Sequence, residues 1–232
     1  MKTIANTEAH DPHYAGWEAR YKEQTGDAEA WSAEPQPFLP GIVAQVKRNA
    51  KVLDIGAGDG RNTELLLRAG HDVTALDLAP TALHALLKRM RVLNLPAPTA
   101  VHASLEAMPL ASDQFTHAFC WDTLPQVKNC RLALEEIHRV LKPGGLCALN
   151  VFTPRDCAFG EGQQIAPRSF LFKQTLFHFF EEDDMSQLCA GLLDVVTMEH
   201  AIWEDPPHVP FRPYRHTHDA LVYVLKKPGD LC

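Results

Sequence analysis

None of the six cysteines of this 232-residue chain stands in a C-x-x-C pair. That excludes a zinc-finger or disulfide-framework reading and leaves reduced thiols, several inside apolar runs. No apolar run is long enough to span a membrane, and no signal-peptide pattern is present. Basic runs are missing as well, and the formal net charge is −7. An acidic balance counts against a nucleic-acid partner, which usually needs a basic face. No internal repeat occurs. Together these absences point to a soluble, cytoplasmic protein with no membrane or nucleic-acid partner. A monomer or homodimer is expected, and the sequence does not show which. With 46% hydrophobic and 22% charged residues, the composition suits one globular unit, residues 1–232, with a full core.

Two nucleotide motifs are also missing. There is no G-x-x-x-x-G-K-[ST] loop. The dinucleotide fingerprint G-x-G-x-x-G fails because Arg61 stands three places after Gly58. What the chain does have is Val52 to Thr63, VLDIGAGDGRNT. Val52, Leu53 and Ile55 predict a buried strand. Gly56, Gly58 and Gly60 permit a tight turn and close backbone approach to a ligand. Glu64 to Arg68 predict the helix that follows. Strand, glycine turn and helix are the elements that build a cofactor site at the carboxyl end of a first strand.

The chemistry of this loop narrows the cofactor. Asp54 and Asp59 would repel a pyrophosphate and attract an ammonium and a sulfonium. The next apolar run, Asp72 to Leu78, predicts a second strand that presents Asp77. That acid lies about 20 residues beyond the first glycine, the spacing at which a carboxylate accepts from ribose hydroxyls. An adenosine with a cationic amino-acid tail suits both features, which indicates S-adenosylmethionine (SAM).

Four ordered blocks, VLDIGAGDGRNT, VTALDL, ASLEAMPLASDQFTHAFCWDTL and EEIHRVLKPGG, resemble the class I SAM-dependent methyltransferase family over roughly residues 50 to 152. The resemblance implies an α/β fold: a Rossmann-like, doubly wound sheet of seven strands, the last antiparallel beside the fifth, with an N-terminal helical cap. It divides the chain into a cap (1–50), a SAM-binding core (51–152) and an acceptor-side segment with the last two strands (153–232). It also implies cofactor contacts from Gly56, Ala57, Gly58 and Asn62 in the loop, and from Asp77 and Leu78 after the second strand. Ser104 and Leu105 take the turn against the adenine edge, where Ser104 departs from the usual acid and Glu106 is a substitute. Trp121 ends the fourth strand at the methyl-transfer position. In the cap, the stripe Tyr14, Trp17 and Tyr21 lies on one helical face. Tyr21 or Trp31 then closes over SAM, or the stripe only packs.

The expected reaction moves a methyl group from SAM to a sulfur, nitrogen, oxygen or other chalcogen atom of a small-molecule acceptor, releasing S-adenosylhomocysteine. The pattern W-E-x-R-Y…W-S resembles tellurite-resistance and thiopurine methyltransferases. Trp121-Asp122-Thr123-Leu124 lacks the Asn/Asp-Pro-Pro-aromatic motif of amine methyltransferases of nucleic acids. A quinone, lipid or macromolecular acceptor, or SAM binding without catalysis, stays open.

Acceptor contacts are expected from Asp122 and from the segment Pro206 to Asp219. There, His216 and His218 share a side if extended, with Arg212, Tyr214 and Arg215 nearby. His216 and His178 are the candidate proton acceptors. His216 and His218 also suit a metal, but spacing supplies no third ligand, so no metal ligand set is assigned. The aromatic stretch Phe170 to Phe180 reads either as an apolar acceptor pocket or as core packing of an inserted helix.

Overall fold

A computed structural model describes residues 2–3, 12–23, 34–207 and 212–229. A two-residue strand β1 (Lys2–Thr3) and helix α1 (Pro12–Glu23) precede α2 (Leu39–Val43). Strands and helices then alternate: β2 (Lys51–Ile55), α3 (Arg61–Arg68), β3 (Asp72–Asp77), α4 (Pro80–Val92), β4 (Thr99–His102), β5 (Phe115–Cys120), α5 (Cys130–Val140) and β6 (Leu141–Phe152). A three-stranded meander follows, β7 (Gln163–Ala166), β8 (Ser169–Phe172) and β9 (Thr175–His178). Helix α6 (Glu182–Cys189) leads to a long hairpin, β10 (Asp194–Asp205) and β11 (His216–Lys226).

The main sheet runs β1-β4-β3-β2-β5-β6-β11-β10. Strands β2 to β6 pair in parallel, and β11 lies antiparallel between β6 and β10. This is the expected seven-stranded sheet, widened at one edge by β1. At that edge Lys2 and Thr3 pair with Val101 and His102.

Parity along the strands explains why they read as unbroken apolar runs. Leu53 and Ile55 face a core with Phe115, Ile137 and Leu149. Val52 faces the opposite core with Leu66, Val73, Leu86 and Phe119. Parallel strands buried on both faces need apolar residues at every position. Each such side chain contributes about 1.5–3 kcal/mol by burial. The chain winds from β2 to β3 and β4 on one side, then crosses to β5 on the other. The crevice at the carboxyl ends of β2 and β5 is therefore the topological switch point where this architecture takes ligands.

The aromatic stretch at 170–180 is not a helix. Lys173 and Gln174 both hold positive φ, 47° and 64°, and form a two-residue hairpin turn between β8 and β9. Phe170 pairs across strands with Phe177, and both are buried in a cluster with Phe152, Phe179 and Trp203. Alternation along β9 buries Thr175 and Phe177, and Phe170 joins them as the cross-strand partner of Phe177.

Candidate functional site

At the switch point, the backbone N–H groups of Gly56 and Ala57 donate to Leu76 O (2.8 and 3.0 Å). This clamps the glycine turn to β3. Gly56 holds φ +68°, and a Cβ there would lie 2.0 Å from Thr123 Oγ1, so the turn accepts only glycine without rearrangement. Asp77 carries the other half of the clamp. One carboxylate oxygen accepts from Gly58 N–H and the other from Ala79 N–H, both at 2.8 Å. Burial pushes the Asp77 carboxyl up to about 6, against those hydrogen bonds.

The turn forms one wall of a cavity of about 410 Å³, within the usual size of a small-molecule site. Most of the expected cofactor contacts line it: Tyr21, Gly56, Ala57, Gly58, Asn62, Asp77, Leu78, Ser104, Leu105, Glu106 and Trp121. Asp122, His216 and His218 line it as well. Its acids are Asp59, Asp77, Glu106, Asp122, Asp156 and Asp205. The Asn62 Oδ1 and Trp121 Nε1 atoms are buried on its wall with no hydrogen-bond partner among the described residues. A buried polar atom left so costs about 1–3 kcal/mol, which a polar ligand would relieve.

Asp54 stands elsewhere. It is buried (1% exposed) beneath the glycine turn and accepts from Thr63 Oγ1 of α3 at 2.5 Å. It is not among the residues lining the cavity. Burial first, then the nearby Asp77 charge, push its carboxyl up to about 7, and the Thr63 bond opposes them. The expected contact between Asp54 and a ligand is thus replaced by support of the loop from below. Trp31 lies outside the described residues.

Asp122 holds φ +52° at the end of β5. Its carboxylate accepts from Gln36 Nε2 (2.8 Å) and Asn150 Nδ2 (2.7 Å), and Arg61 stands at 3.5 Å. Burial raises its carboxyl above the usual range, with Arg61 and His218 opposing.

The far wall comes from the β10–β11 hairpin. His216 and His218 project from the same side of β11, and Asp205 pairs directly with His216 across the hairpin. His218 Nδ1 lies 2.8 Å from Asp156 Oδ2. Burial disfavours charge on His218, but the Asp156 bond and charge outweigh it and raise its pKa. Burial holds His216 below the ordinary histidine value. Arg212 also lines the cavity and makes a two-pronged ion pair with Glu161 (3.1 and 2.9 Å).

Three further expected site residues are placed away from the cavity. His178 lies in β9, between Ser169 Oγ (2.8 Å) and Val127 O (2.9 Å). Since Val127 O only accepts, Nε2 donates and Nδ1 accepts from the serine, which spends both ring nitrogens on holding the meander. Arg215 is exposed and pairs with Glu204 at 3.2 Å. Tyr214 is 53% exposed, and its hydroxyl accepts from Arg212 at 3.3 Å. Conversely, Trp17, Arg61, Asp156 and Asp205 line the cavity without having been assigned from sequence. Asp156 and Asp205 were hidden because strand register, not spacing, brings them to the histidines.

A glycine turn at the switch point of a doubly wound sheet, with an acid closing the next strand and an antiparallel final strand, is the Rossmann-like fold of class I SAM-dependent methyltransferases. Residues 53–149 match the family described as a methyltransferase domain. A malonyl-[acyl-carrier protein] O-methyltransferase of Pseudescherichia vulneris is 36% identical over 102 residues, 44% of this chain and 39% of that protein. The chain thus covers under half of that relative's length. Two solved structures are similar over nearly the whole chain. One, from work on conversion of a disulfide bond into a thioacetal group in echinomycin biosynthesis, has a TM-score of 0.73 at 18% identity. It covers 97% of this chain and 94% of that one. The other is a 1,6-didemethyltoxoflavin-N1-methyltransferase of Burkholderia thailandensis with bound 1,6-didemethyltoxoflavin and S-adenosylhomocysteine. Its TM-score is 0.68 at 21% identity, covering 98% and 92%. At these identities the two share the fold with this chain. Among the described residues, no helix is long and apolar enough to cross a membrane.

Proposed function

We propose that this chain transfers the methyl group of SAM to a small-molecule acceptor and releases S-adenosylhomocysteine. The observation that carries the reading is the acid-lined cavity on the glycine turn, with Asp77 tied to both Gly58 and Ala79 at its mouth. A cavity with this acidic lining disfavours phosphates and suits a cationic nucleoside. Asn62 Oδ1 and Trp121 Nε1, which have no hydrogen-bond partner among the described residues, await a polar ligand.

SAM supplies an activated methyl group on a sulfonium. The residues of the chain have the remaining tasks. Asp77 and Leu78 hold the ribose side, Ser104, Leu105 and Glu106 meet the adenine edge, and Asn62 and Trp121 border the reacting end. Asp122, His216 and His218 form the acceptor wall. Tyr21 and Trp17 on α1 cover the cavity and exclude water, so that acceptor and methyl meet in line. We read residues 1–50 as the cap, 51–152 as the cofactor core and 153–232 as the acceptor side of one unit. A second reading, an acceptor carried on a protein, follows from the carrier-protein relative.

Calorimetric titration with SAM and with S-adenosylhomocysteine tests the reading, on wild type and Asp77→Asn. Wild type is expected to bind both. The variant keeps one acceptor oxygen for the loop and loses a charged one, worth about 1.5–3 kcal/mol, so affinity falls at least about tenfold. No binding by folded wild type would sink the proposal. Release of S-adenosylhomocysteine with thiol, hydroxyl or amine acceptors then separates turnover from binding. Turnover only with a carrier-bound acyl group would select the second reading.

A further inference from the structure

The hairpin wall presents a ligand set that spacing alone could not supply. One ligand atom each from Asp205, His216 and His218 lies within 4.8 Å of the other two. All three residues line the cavity. They sit on two hydrogen-bonded strands, with Asp205 opposite His216 and Trp203 opposite His218, so the backbone holds them in register before any ligand arrives.

The outward nitrogens of both rings define their tautomers. His216 Nδ1 lies 3.1 Å from the Tyr214 carbonyl oxygen. A carbonyl only accepts, so Nδ1 carries the proton and Nε2 carries the lone pair. His218 Nδ1 donates to the buried carboxylate of Asp156, and His218 Nε2 is directed toward Asp205 Oδ2 at 3.8 Å. A metal-bound histidine almost always donates its other N–H to a carboxylate or a backbone carbonyl. This site has one of each. The His218 ring is further fixed between Phe152 (5.2 Å) and Trp203 (5.1 Å).

We propose that Asp205, His216 and His218 bind one divalent transition ion, of the zinc or iron(II) type, on the acceptor wall of the cavity. Two imidazoles and one carboxylate suit such ions and leave coordination positions open. Small side-chain rotations draw the three donor atoms to bonding distance. Asp156 is then a positioning residue that orients His218. Resting on the methyl-transfer reading, the open positions face the cavity and take a hydroxyl oxygen or thiol sulfur of the acceptor. On coordination, the acceptor proton leaves to water. The acceptor–carbon bond then forms as the sulfur–methyl bond breaks, and the electron pair stays on sulfur. This assigns His216 as a ligand in place of the proton acceptor expected from sequence.

The test strips the full chain with chelator and titrates it with zinc, then with cobalt(II). One equivalent is expected, with cobalt d–d bands and no near-ultraviolet thiolate band. His216→Gln, His218→Gln and Asp205→Asn should each weaken binding more than tenfold, and Asp156→Asn by about 10- to 100-fold. His84→Gln, on exposed α4 surface, and Cys157→Ser should bind as wild type does. Cys157 matters because Asp156, Cys157 and His218 form a competing set. A thiolate band, or loss of binding in Cys157→Ser with retention in His216→Gln, would overturn the assignment, as would no saturable binding by wild type. Circular dichroism checks each fold, and the near-isosteric Asp205→Asn decides if a histidine variant unfolds. SAM titration of the two histidine variants should be unchanged, so failure of the metal site and failure of the cofactor site are told apart.

Discussion

Asp54→Asn separates the support of the glycine turn from ligand contact. In the folded chain the Asp54 carboxyl is pushed up to about 7 from an ordinary 3.8. The unfolded chain therefore releases this proton first. The group's contribution to stability is fully present below about pH 4 and is lost as pH rises through about 7. Asparagine resembles the protonated acid, because its Oδ1 still accepts from Thr63 Oγ1 and it never ionises. Between pH 5 and 8 the wild type should lose roughly 2–3 kcal/mol relative to the variant, from about 1.4 kcal/mol per pKa unit. For a chain of this size 1 kcal/mol moves the melting temperature by about 2–4 °C. The gap in Tm between variant and wild type should thus widen by roughly 5–10 °C from pH 5 to pH 8, read by differential scanning calorimetry. SAM affinity should change less than about threefold. A gap that stays constant with pH would refute the buried-acid argument. A tenfold loss of affinity in a folded Asp54→Asn protein would refute the placement of Asp54 beneath the loop.

Other expectations follow from named contacts. Gly56→Ala and Gly144→Ala both force alanine into positive φ, which costs about 1–2 kcal/mol. Only Gly56 has a neighbour in the way, whereas a Cβ at Gly144 meets nothing within 4 Å. The difference between their Tm values isolates the Thr123 collision, and SAM affinity should fall only for Gly56→Ala. Glu161→Gln removes the charge from the carboxylate that pairs with the buried Arg212 guanidinium and should lower unfolding stability in urea by about 1–3 kcal/mol. His178→Ala removes two hydrogen bonds and should cost about 1–2 kcal/mol. Its kcat/KM per folded molecule should match wild type, and a large drop would return His178 to the active site.

The core was legible because physics writes it twice. Strands buried on both faces show as Val52, Leu53, Ile55 and as Val73, Ala75, Leu76, and the turn needs its glycines where φ is positive. Asp77 was legible from its distance to the loop. Asp54 was misplaced although strand parity held the answer: Leu53 and Ile55 share one face, so Asp54 points to the other, where α3 brings Thr63. The meander at 163–178 was not legible as strands, since its elements are four residues long and its aromatics also suit a helix. Nor was the pairing of Asp205 with His216. That contact depends on hairpin register, which a ten-residue connection leaves open.

The cavity borrows its wall from Trp17 at one end of the described chain and His218 at the other. No fragment of the fold can therefore assemble it, and no local opening of a single loop is its only alternative state. Whatever occupies it, cofactor, acceptor or ion, draws directly on the global folding equilibrium. An occupant at a hundredfold over its Kd adds about 2.7 kcal/mol to unfolding, or roughly 5–10 °C in Tm. Melting temperature thus becomes an assay for the unknown acceptor. Candidate compounds can be ranked by the heat the whole molecule withstands, before any product of turnover has been identified.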